Sequence, residues 1–442
     1  MSGRSWWRLG DLVTLVGVLI VGLWVFGGAA HSGAFHGDEG DYILTARYFD
    51  YLFVEHDVTR PEWGDGYWTH TQPMLARYLV GGSLWLGGYD LAKVPGRYRW
   101  GRSLEENRLE GRVPEAPLLF QARAPMAVMA AGAVGLLYVL GRVLGGPLAG
   151  LAAAALALAS PFAQQYLVRA VNDAPLVFCL LLGLLLAIVG ARRGRAGGLP
   201  TRWAVAVGAG LGFGLGAKLT AVLSLAALLG WAALAALLAA RRRPASAPGD
   251  RLRRAWAAGR GWMLAAVVGV ALFVLSDPHL YPNPLLHTAH LFQDRAEEMV
   301  NQQRVSPGDA LLNPLDRPGY VLGGSLIDGT WTGSHGLPIE ALLAGLGGAA
   351  LLLRTWRGWR QAGQAPVEGF VALTAVAYFA GTSLGLLVPW PNYYLPTLLI
   401  GSLLSGLGIS AAVRWALATG GAFQRGSLLT RSDAPVPGQR SA

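Results

Sequence analysis

Apolar segments alternate with polar segments along almost the whole chain. Most of the longer apolar segments have roughly 17–25 residues, the length of a helix that crosses the hydrocarbon core of a bilayer. The pattern therefore predicts an all-α integral membrane protein with about ten transmembrane helices. The predicted spans are residues 11–30, 118–141, 147–160, 173–190, 203–217, 219–240, 261–276, 337–353, 370–388 and 393–412.

Two polar segments are much longer than the others, and we expect them to carry the functional residues. They cover residues 31–117 and 277–336, whereas connections between packed helices usually have roughly 2–8 residues. The first is rich in Trp and Tyr, side chains that favour the interface between membrane and water. Apolar residues recur at helical spacing in 42–53 and 74–86, which predicts helices that lie on the membrane surface.

The charge distribution predicts which side of the membrane each segment faces. The 442 residues include 36 Lys and Arg and 26 Asp and Glu, a net charge of +10. If the amino terminus is cytoplasmic, most basic residues fall in cytoplasmic segments and most acidic residues on the outer side, as the positive-inside rule requires. Both termini are then cytoplasmic, and the two long segments lie on the outer face of the cytoplasmic membrane. The basic excess reflects topology and not nucleic-acid binding.

Composition narrows the class of protein further. Hydrophobic residues make up 53% of the chain and the mean hydropathy is +0.39, values typical of a membrane protein. The single cysteine, Cys179, excludes an intrachain disulfide framework and a multi-cysteine metal site. The first apolar segment has features of a signal peptide, but its length favours a membrane anchor. Residues 1–412 are predicted to form one membrane domain, and residues 413–442 a disordered cytoplasmic tail.

The stretch HGDEGDYIL, residues 36–44, places three carboxylates directly after the first predicted span. These are Asp38, Glu39 and Asp41. One interpretation is structural, because Asp38 with Asp41 at the third helical position resembles an acidic helix cap. The other interpretation is catalytic, and the two are compatible because a cap also holds a carboxylate in place.

The order of four short motifs resembles the GT-C superfamily of glycosyltransferases. After the Asp-Glu-x-x-Tyr motif come HTQPMLARYL (70–79), RAVNDAPL (169–176) and, before the last span, PWPNYYLPTLL (389–399). The protein O-mannosyltransferases and the lipid A aminoarabinose transferase have a similar order of motifs, and they use polyprenyl-phosphate-linked sugars. Thr71 and Gln72 stand where these relatives have the first proline of a His-Pro-Pro element.

The resemblance implies a GT-C-like bundle that transfers a hexosyl or pentosyl group from a polyprenyl-phosphate donor to a hydroxyl acceptor, with inversion. The acceptor is a protein, a glycan or a lipid. Asp38 is then the expected base for the acceptor proton, with Glu39 assisting or orienting it. Asp173 is the expected second acid of the cavity, and Asp41 a further acid or substrate-binding residue. No cofactor is implied.

Basic residues near these motifs are candidates for binding the donor phosphate, because cationic side chains stabilise a departing phosphate. Arg77 has an alternative role, reaching lipid headgroups from a surface helix. Lys218, one of two lysines in the chain, can instead anchor an interface, and Arg169 can form an ion pair with Asp173 one helical turn later. The candidates are Arg47, His70, Arg77, Arg169 and Lys218.

The second long segment contains SDPHLYPNPLLHTAHLF, residues 276–292. The resemblance predicts a helix here that closes over the cavity. His287 and His290 have the spacing of a helical metal-binding pair, but prolines interrupt the pattern and no further ligand is evident, so no metal site is predicted. The predicted cavity residues are Tyr42, Tyr281, Asn283, Asn392 and Tyr393.

A secondary transporter or lipid flippase is the main alternative, and a non-catalytic scaffold for cell-envelope assembly is a third. Transporters tend to have symmetric halves with ionisable residues near the bilayer midplane. Here the acids cluster in one outer segment, and the predicted spans are nearly free of charge. The glycosyltransferase interpretation is therefore preferred. The sequence leaves open the sugar, the acceptor and the polyprenol length.

Overall fold

The computed structural model describes residues 9–64, 66–194, 198–241, 248–362 and 366–432. In this part of the chain the backbone forms α-helices joined by short 3-10 and π-helical turns, with no β-strand, which confirms the all-α prediction. The α-helices are α1 (Leu9–Ser32), α2 (Gly37–Leu44), α3 (Tyr67–Thr71), α4 (Leu75–Leu86), α5 (Leu104–Leu109), α6 (Ala116–Gly145), α7 (Pro147–Ala159), α8 (Pro161–Tyr166), α9 (Asp173–Arg193), α10 (Thr201–Ala217), α11 (Val222–Arg241), α12 (Pro248–Leu275), α13 (Pro284–Val305), α14 (Arg317–Gly323), α15 (Ile339–Ala362), α16 (Glu368–Gly385) and α17 (Leu395–Ser432).

Each predicted span coincides with one of these helices. Within the described residues, seven helices have the length and composition needed to cross a membrane: α1, α6, α9, α11, α12, α15 and α17. The other three, α7, α10 and α16, are shorter or less apolar. The total of about ten spans therefore stays a prediction. The coarser expectation of a bundle with several helices long and apolar enough to cross a membrane is confirmed.

Small residues allow the helices of the bundle to pack closely. A Cβ atom added at Gly150 of α7 would overlap the Tyr138 carbonyl of α6, and one added at Gly406 of α17 would overlap the Ala149 carbonyl of α7. Apolar attraction between helices is weak in lipid, so close backbone approach of this kind contributes much of the association. The two contacts hold α6, α7 and α17 together as the centre of the bundle.

Arginine side chains tie the helices together at one end of the bundle. Arg142 near the end of α6 pairs with Asp11 near the start of α1 through an Nε–Oδ1 contact of 2.8 Å. Arg354 donates to the Leu144 carbonyl at 2.7 Å, and Arg414 donates to the Gly145 carbonyl at 3.2 Å. This end, here called the arginine end, is opposite the end that carries the two long segments.

The two long segments fold over the other end of the bundle, here called the loop face. The predicted surface helix over 74–86 is confirmed as α4. The predicted helix over 42–53 differs, because α2 ends at Leu44 and gives way to a 3-10 turn and a π-helical turn. The change in helix type coincides with a close contact, since a Cβ atom at Gly81 of α4 would overlap the Ala46 carbonyl and Phe49.

The predicted disordered tail also differs from the structure over part of its length. Helix α17 continues through the predicted boundary at residue 412 and ends at Ser432. No proline follows Pro396 until Pro435, so nothing in the covalent backbone breaks the helix before that point. Residues 433–442 of the predicted tail lie outside the described residues.

Candidate active site

A buried ion pair fixes helix α2 to the bundle. Glu39 of α2 is fully buried, and Arg123 of α6 is 1% exposed. The Arg123 guanidinium donates two parallel hydrogen bonds to the Glu39 carboxylate, at 2.6 and 2.7 Å. It also donates to the carbonyls of Ala30, Gly33 and Ala34 at the end of α1. One arginine thus joins α1, α2 and α6.

Glu39 has two further partners, and both belong to the backbone. Its carboxylate accepts hydrogen bonds from the Ala170 N–H at 2.9 Å and from the His36 N–H at 3.0 Å. His36 in turn caps α2, since its Nδ1 accepts from the Asp38 N–H at 3.4 Å. The helix cap is therefore His36 with Glu39, and the predicted cap of Asp38 with Asp41 is wrong. Glu39 is saturated with hydrogen bonds and faces away from the cavity described next.

Asp38 faces a cavity on the loop face instead of capping its helix. The cavity has a volume of about 200 Å³, whereas a single buried water needs only roughly 10–15 Å³ by the same kind of measure. The Asp38 side chain is 54% exposed, because it projects into this space. Protein surrounds the space, and burial raises the Asp38 pKa, while His36, Arg169 and Arg295 act to lower it. The Asp38 carboxyl is therefore open to a ligand, but the surrounding protein leaves it poorly solvated.

Asp173 and Lys218 form an ion pair on the wall of the cavity. Asp173 begins α9, and Lys218 lies between α10 and α11. The Lys218 Nζ donates to the Asp173 Oδ1 at 2.6 Å and lies 5.5 Å from the centre of the Tyr393 ring. The predicted alternative pairing of Asp173 with Arg169 is therefore wrong. Both members of the pair line the cavity, so the sequence placed them correctly in space, although not as partners.

Two arginines line the cavity without a carboxylate partner among the described residues. Arg169 is half-buried and lies 4.2 Å from the centre of the Tyr166 ring. Arg295 of α13 donates to the Tyr393 hydroxyl at 3.2 Å. Their charges act on Asp38, since each lowers its pKa. Arg295 was not a predicted site residue, and its neighbours in the sequence give no local signal.

Three predicted aromatic and amide residues also lie on the cavity wall. Tyr42, Asn392 and Tyr393 all line the cavity. The Tyr42 hydroxyl donates a short hydrogen bond to the Gln72 side chain, which occupies part of the element where relatives have prolines. Asp41 is also on the wall, is 3% exposed, and has a carboxyl oxygen, Oδ1, without a hydrogen-bond partner in the described chain.

Several predicted residues lie elsewhere. Arg77 is fully buried beneath the cavity, where its guanidinium donates to Thr45 and to the carbonyls of Gln72 and Pro73 at 3.0–3.1 Å. It shapes the Gln72–Met74 turn and does not line the cavity. Arg47 is exposed and likewise is not part of the cavity wall.

The other predicted residues outside the cavity lie elsewhere in the two long segments. His70 lies in a separate surface pocket, where its Nδ1 is 3.5 Å from the Asp294 carboxylate and its Nε2 donates to the Gly64 carbonyl. Tyr281 donates to the Leu275 carbonyl, and Asn283 caps α13 by accepting from the Leu286 N–H. Among the residues described, no group of three His, Cys, Asp or Glu side chains is placed to hold a metal ion.

Two solved structures share this architecture. ArnT from Cupriavidus metallidurans bound to undecaprenyl phosphate has a TM-score of 0.51 at 18% identity, over 91% of this chain and 60% of that chain. The archaeal oligosaccharyltransferase AglB from Archaeoglobus fulgidus, in complex with an inhibitory peptide and a dolichol-phosphate, has a TM-score of 0.54 at 13% identity, over 98% of this chain and 53% of that chain. The chain has the GT-C glycosyltransferase fold.

The GT-C assignment has a second, sequence-based support. Residues 117–247 match the family model described as dolichyl-phosphate-mannose-protein mannosyltransferase, which is less than a third of the chain. No curated protein matches the sequence. This chain spans 60% of the length of ArnT and 53% of the length of AglB. The predicted fold is confirmed, and with it a multi-pass membrane protein.

Proposed function

We propose that the chain is a membrane glycosyltransferase that moves a sugar from a polyprenyl-phosphate donor to a hydroxyl group of an acceptor. The observation that carries the proposal is the charge pattern of the cavity. One carboxylate, Asp38, is open to the cavity and faces two arginines that have no carboxylate partner in the described chain, Arg169 and Arg295. A donor with an anionic phosphate and a reaction that releases a proton need these two kinds of group together.

The transfer follows from this pattern. Asp38 takes the proton of the acceptor hydroxyl as its oxygen forms a bond to the anomeric carbon of the sugar. The bond between that carbon and the phosphate oxygen breaks, and polyprenyl phosphate leaves with the electron pair. Arg169 and Arg295 stabilise the negative charge on the leaving phosphate. A single displacement of this kind inverts the configuration of the anomeric carbon.

The ion pair of Asp173 and Lys218 has a supporting role in this proposal. Lys218 adds positive charge to the side of the cavity that carries Tyr393. Asp173 holds the ammonium group in place and compensates its charge when the cavity contains no donor. Glu39 acts through Asp38 and not on the substrate, because the ion pair with Arg123 fixes the helix that presents Asp38.

We place the cavity on the outer face of the cytoplasmic membrane, with both termini in the cytoplasm. The arginine end of the bundle supports this orientation, because Arg142, Arg354 and Arg414 all lie there. ArnT was solved with undecaprenyl phosphate, and AglB with a dolichol-phosphate and a peptide. We therefore propose a polyprenyl-phosphate-linked sugar as donor and a protein, glycan or lipid hydroxyl as acceptor.

The test uses the purified full-length chain in lipid nanodiscs. Polyprenyl-phosphate mannose and polyprenyl-phosphate pentoses with a radiolabelled sugar are supplied as probes, and the release of polyprenyl phosphate is measured with and without membrane extract as acceptor source. We expect Asp38→Asn to lower the rate by about 10²–10⁴-fold. The matched control is Asp90→Asn, an exposed acid of the same long segment that pairs with Lys93. Wild-type rates in Asp38→Asn would remove Asp38 from the role of base. Movement of the labelled sugar across vesicles without transfer would indicate a transporter instead.

A further inference from the structure

Besides Asp38 and the paired Asp173, the cavity contains a third carboxyl group, which the proposed transfer does not use. Asp41 lies three residues after Asp38 on α2, so both side chains lie on the same face of the helix. Asp38 is open to the cavity, whereas Asp41 is 3% exposed although it lines the same space. The two carboxyl groups thus share one site, but one is exposed to its space and the other is enclosed by protein.

The Asp41 Oδ1 atom has no hydrogen-bond partner among the described residues. Buried polar atoms in folded proteins nearly always have a partner, and leaving one without costs free energy. The neighbouring polar groups are engaged elsewhere, since Thr45 donates to the Asp41 backbone carbonyl and Tyr42 donates to Gln72. Because Asp41 also lines the cavity, a small rotation of its side chain would let a bound ligand supply the missing hydrogen bond.

We propose that Asp41 is a neutral carboxylic acid that binds a hydroxyl group of the substrate beside the ionised Asp38. The proposal rests on the proposed glycosyltransferase function, because sugars and their acceptors both carry hydroxyl groups. A neutral carboxyl offers one O–H donor and one carbonyl acceptor, and a hydroxyl group can satisfy both. Asp41 would then be a specificity-determining residue, since a site built around a hydroxyl group discriminates strongly against an analogue that lacks it.

Burial raises the pKa of both carboxyl groups, but His36, Arg169 and Arg295 act to lower that of Asp38, which favours Asp41 as the member of the pair that holds the proton. Burial, together with the nearby charge of Asp38, raises the pKa of Asp41 to about 7, while Arg97 and Arg77 oppose the change. Two carboxylates in one poorly solvated site cannot both ionise without a large cost, so one of them holds the proton. The charged and titratable groups that face the pair are His36, Arg77, Arg97, Arg169, Asp173, Lys218 and Arg295.

The first experiment measures kcat/KM against pH for the full chain in nanodiscs, with polyprenyl-phosphate mannose or pentose as donor. Above the Asp41 pKa the wild type should lose activity by about tenfold per pH unit, because ionised Asp41 can no longer donate. Asp41→Asn, which imitates the neutral acid, should lower kcat/KM two- to tenfold and abolish this decline at high pH. Asp41→Ala should lower kcat/KM by about ten- to a hundredfold, since no hydrogen bond replaces the lost one.

A decline at high pH that persists unchanged in Asp41→Asn would overturn the proposal. So would a folded Asp41→Asn variant that is less active than Asp41→Ala. The second experiment needs no activity: infrared spectroscopy of the wild type at pH 6 should show a protonated carboxyl band that Asp41→Asn lacks. Identical spectra would also overturn the proposal. If the wild type releases no polyprenyl phosphate, the proposed function fails, and the infrared band still decides whether Asp41 carries a proton.

Discussion

Breaking the ion pair between Glu39 and Arg123 should destabilise the whole loop face. The change is Glu39→Gln, which keeps the shape of the side chain and removes its charge. Arg123 then remains buried with three carbonyl acceptors but no anion, at 1% exposure. Removing one partner of a buried pair costs about 3–5 kcal/mol, because the other charge is left without compensation. The two backbone N–H groups of His36 and Ala170 also lose their charged acceptor.

The assay is unfolding of the purified chain in mixed micelles of detergent and denaturing surfactant, followed by Trp fluorescence. Three variants form a cycle with the wild type: Glu39→Gln, Arg123→Met and the double variant. The double variant should be more stable than the sum of the single losses implies, because neither charge remains alone. The matched control is Glu105→Gln, which breaks the exposed pair with Arg108 and should change stability by less than about 1 kcal/mol.

Two outcomes would refute this reasoning. If Glu39→Gln unfolds at the wild-type midpoint, the pair does not anchor α2, and the four hydrogen bonds of Glu39 contribute no net stability. If the losses of the two single variants are strictly additive, the two side chains act independently despite their 2.6 Å contact. Either result would mean that Asp38 is positioned by something other than the ion pair beneath it.

Three further predictions concern the cavity and the contact between the long segments. Arg295→Met should lower kcat/KM for the polyprenyl-phosphate donor by roughly ten- to a hundredfold, since a charge-assisted hydrogen bond contributes about 1.5–3 kcal/mol. The control is Arg304→Met, on the same helix but outside the cavity. Equal losses in the two variants would contradict the role of Arg295. Lys218→Met should destabilise the fold because Asp173 is left as a buried charge. Adding Asp173→Asn should recover part of the stability but none of the transfer rate. Recovery of the transfer rate would show that the pair is only structural. Burial and the neighbouring His70 lower the pKa of His279 to about 4 from an ordinary value of 6.5, so the unfolded chain binds this proton more readily. The stability that neutral His279 contributes should therefore be lost as the pH falls from about 6.5 towards 4. His279→Gln should reduce the difference between the unfolding midpoints at pH 7 and pH 5, and an undiminished difference would assign the pH dependence to other groups.

The positions of the helices could be predicted from the sequence because hydropathy is a property of whole segments. Ten apolar runs predicted ten helices, and each run coincides with a helix, although α12, α15 and α17 extend well beyond the predicted bounds. The prediction failed where tertiary contact decides the local geometry. The helix over 42–53 changes type after Leu44, where α4 packs against it through Gly81, and no periodicity in 42–53 reports that contact.

The residues of the candidate site could be predicted only in part, for a related physical reason. Motif order predicted that Asp38 and Asp173 share a cavity, and the turn between two spans added Lys218, because each lies at the loop-face end of a helix. The burial of individual charged residues could not be predicted. A charged residue is rarely buried unless it is paired, and the sequence does not show which residue is its partner. Arg77 was therefore assigned to the phosphate although it is sealed beneath the cavity, and Arg295 was missed in the middle of α13.

The split between Asp38 and Glu39 shows how one motif serves both stability and chemistry. Successive residues of an α-helix point about 100° apart, so neighbouring carboxylates on α2 face different surroundings. Glu39 faces α6 and is saturated by Arg123 and two backbone N–H groups. Asp38 faces the cavity and stays available to a ligand. Because a saturated carboxylate makes a poor base and an unsaturated one a poor anchor, neither residue can take the other's role without rotation of the helix.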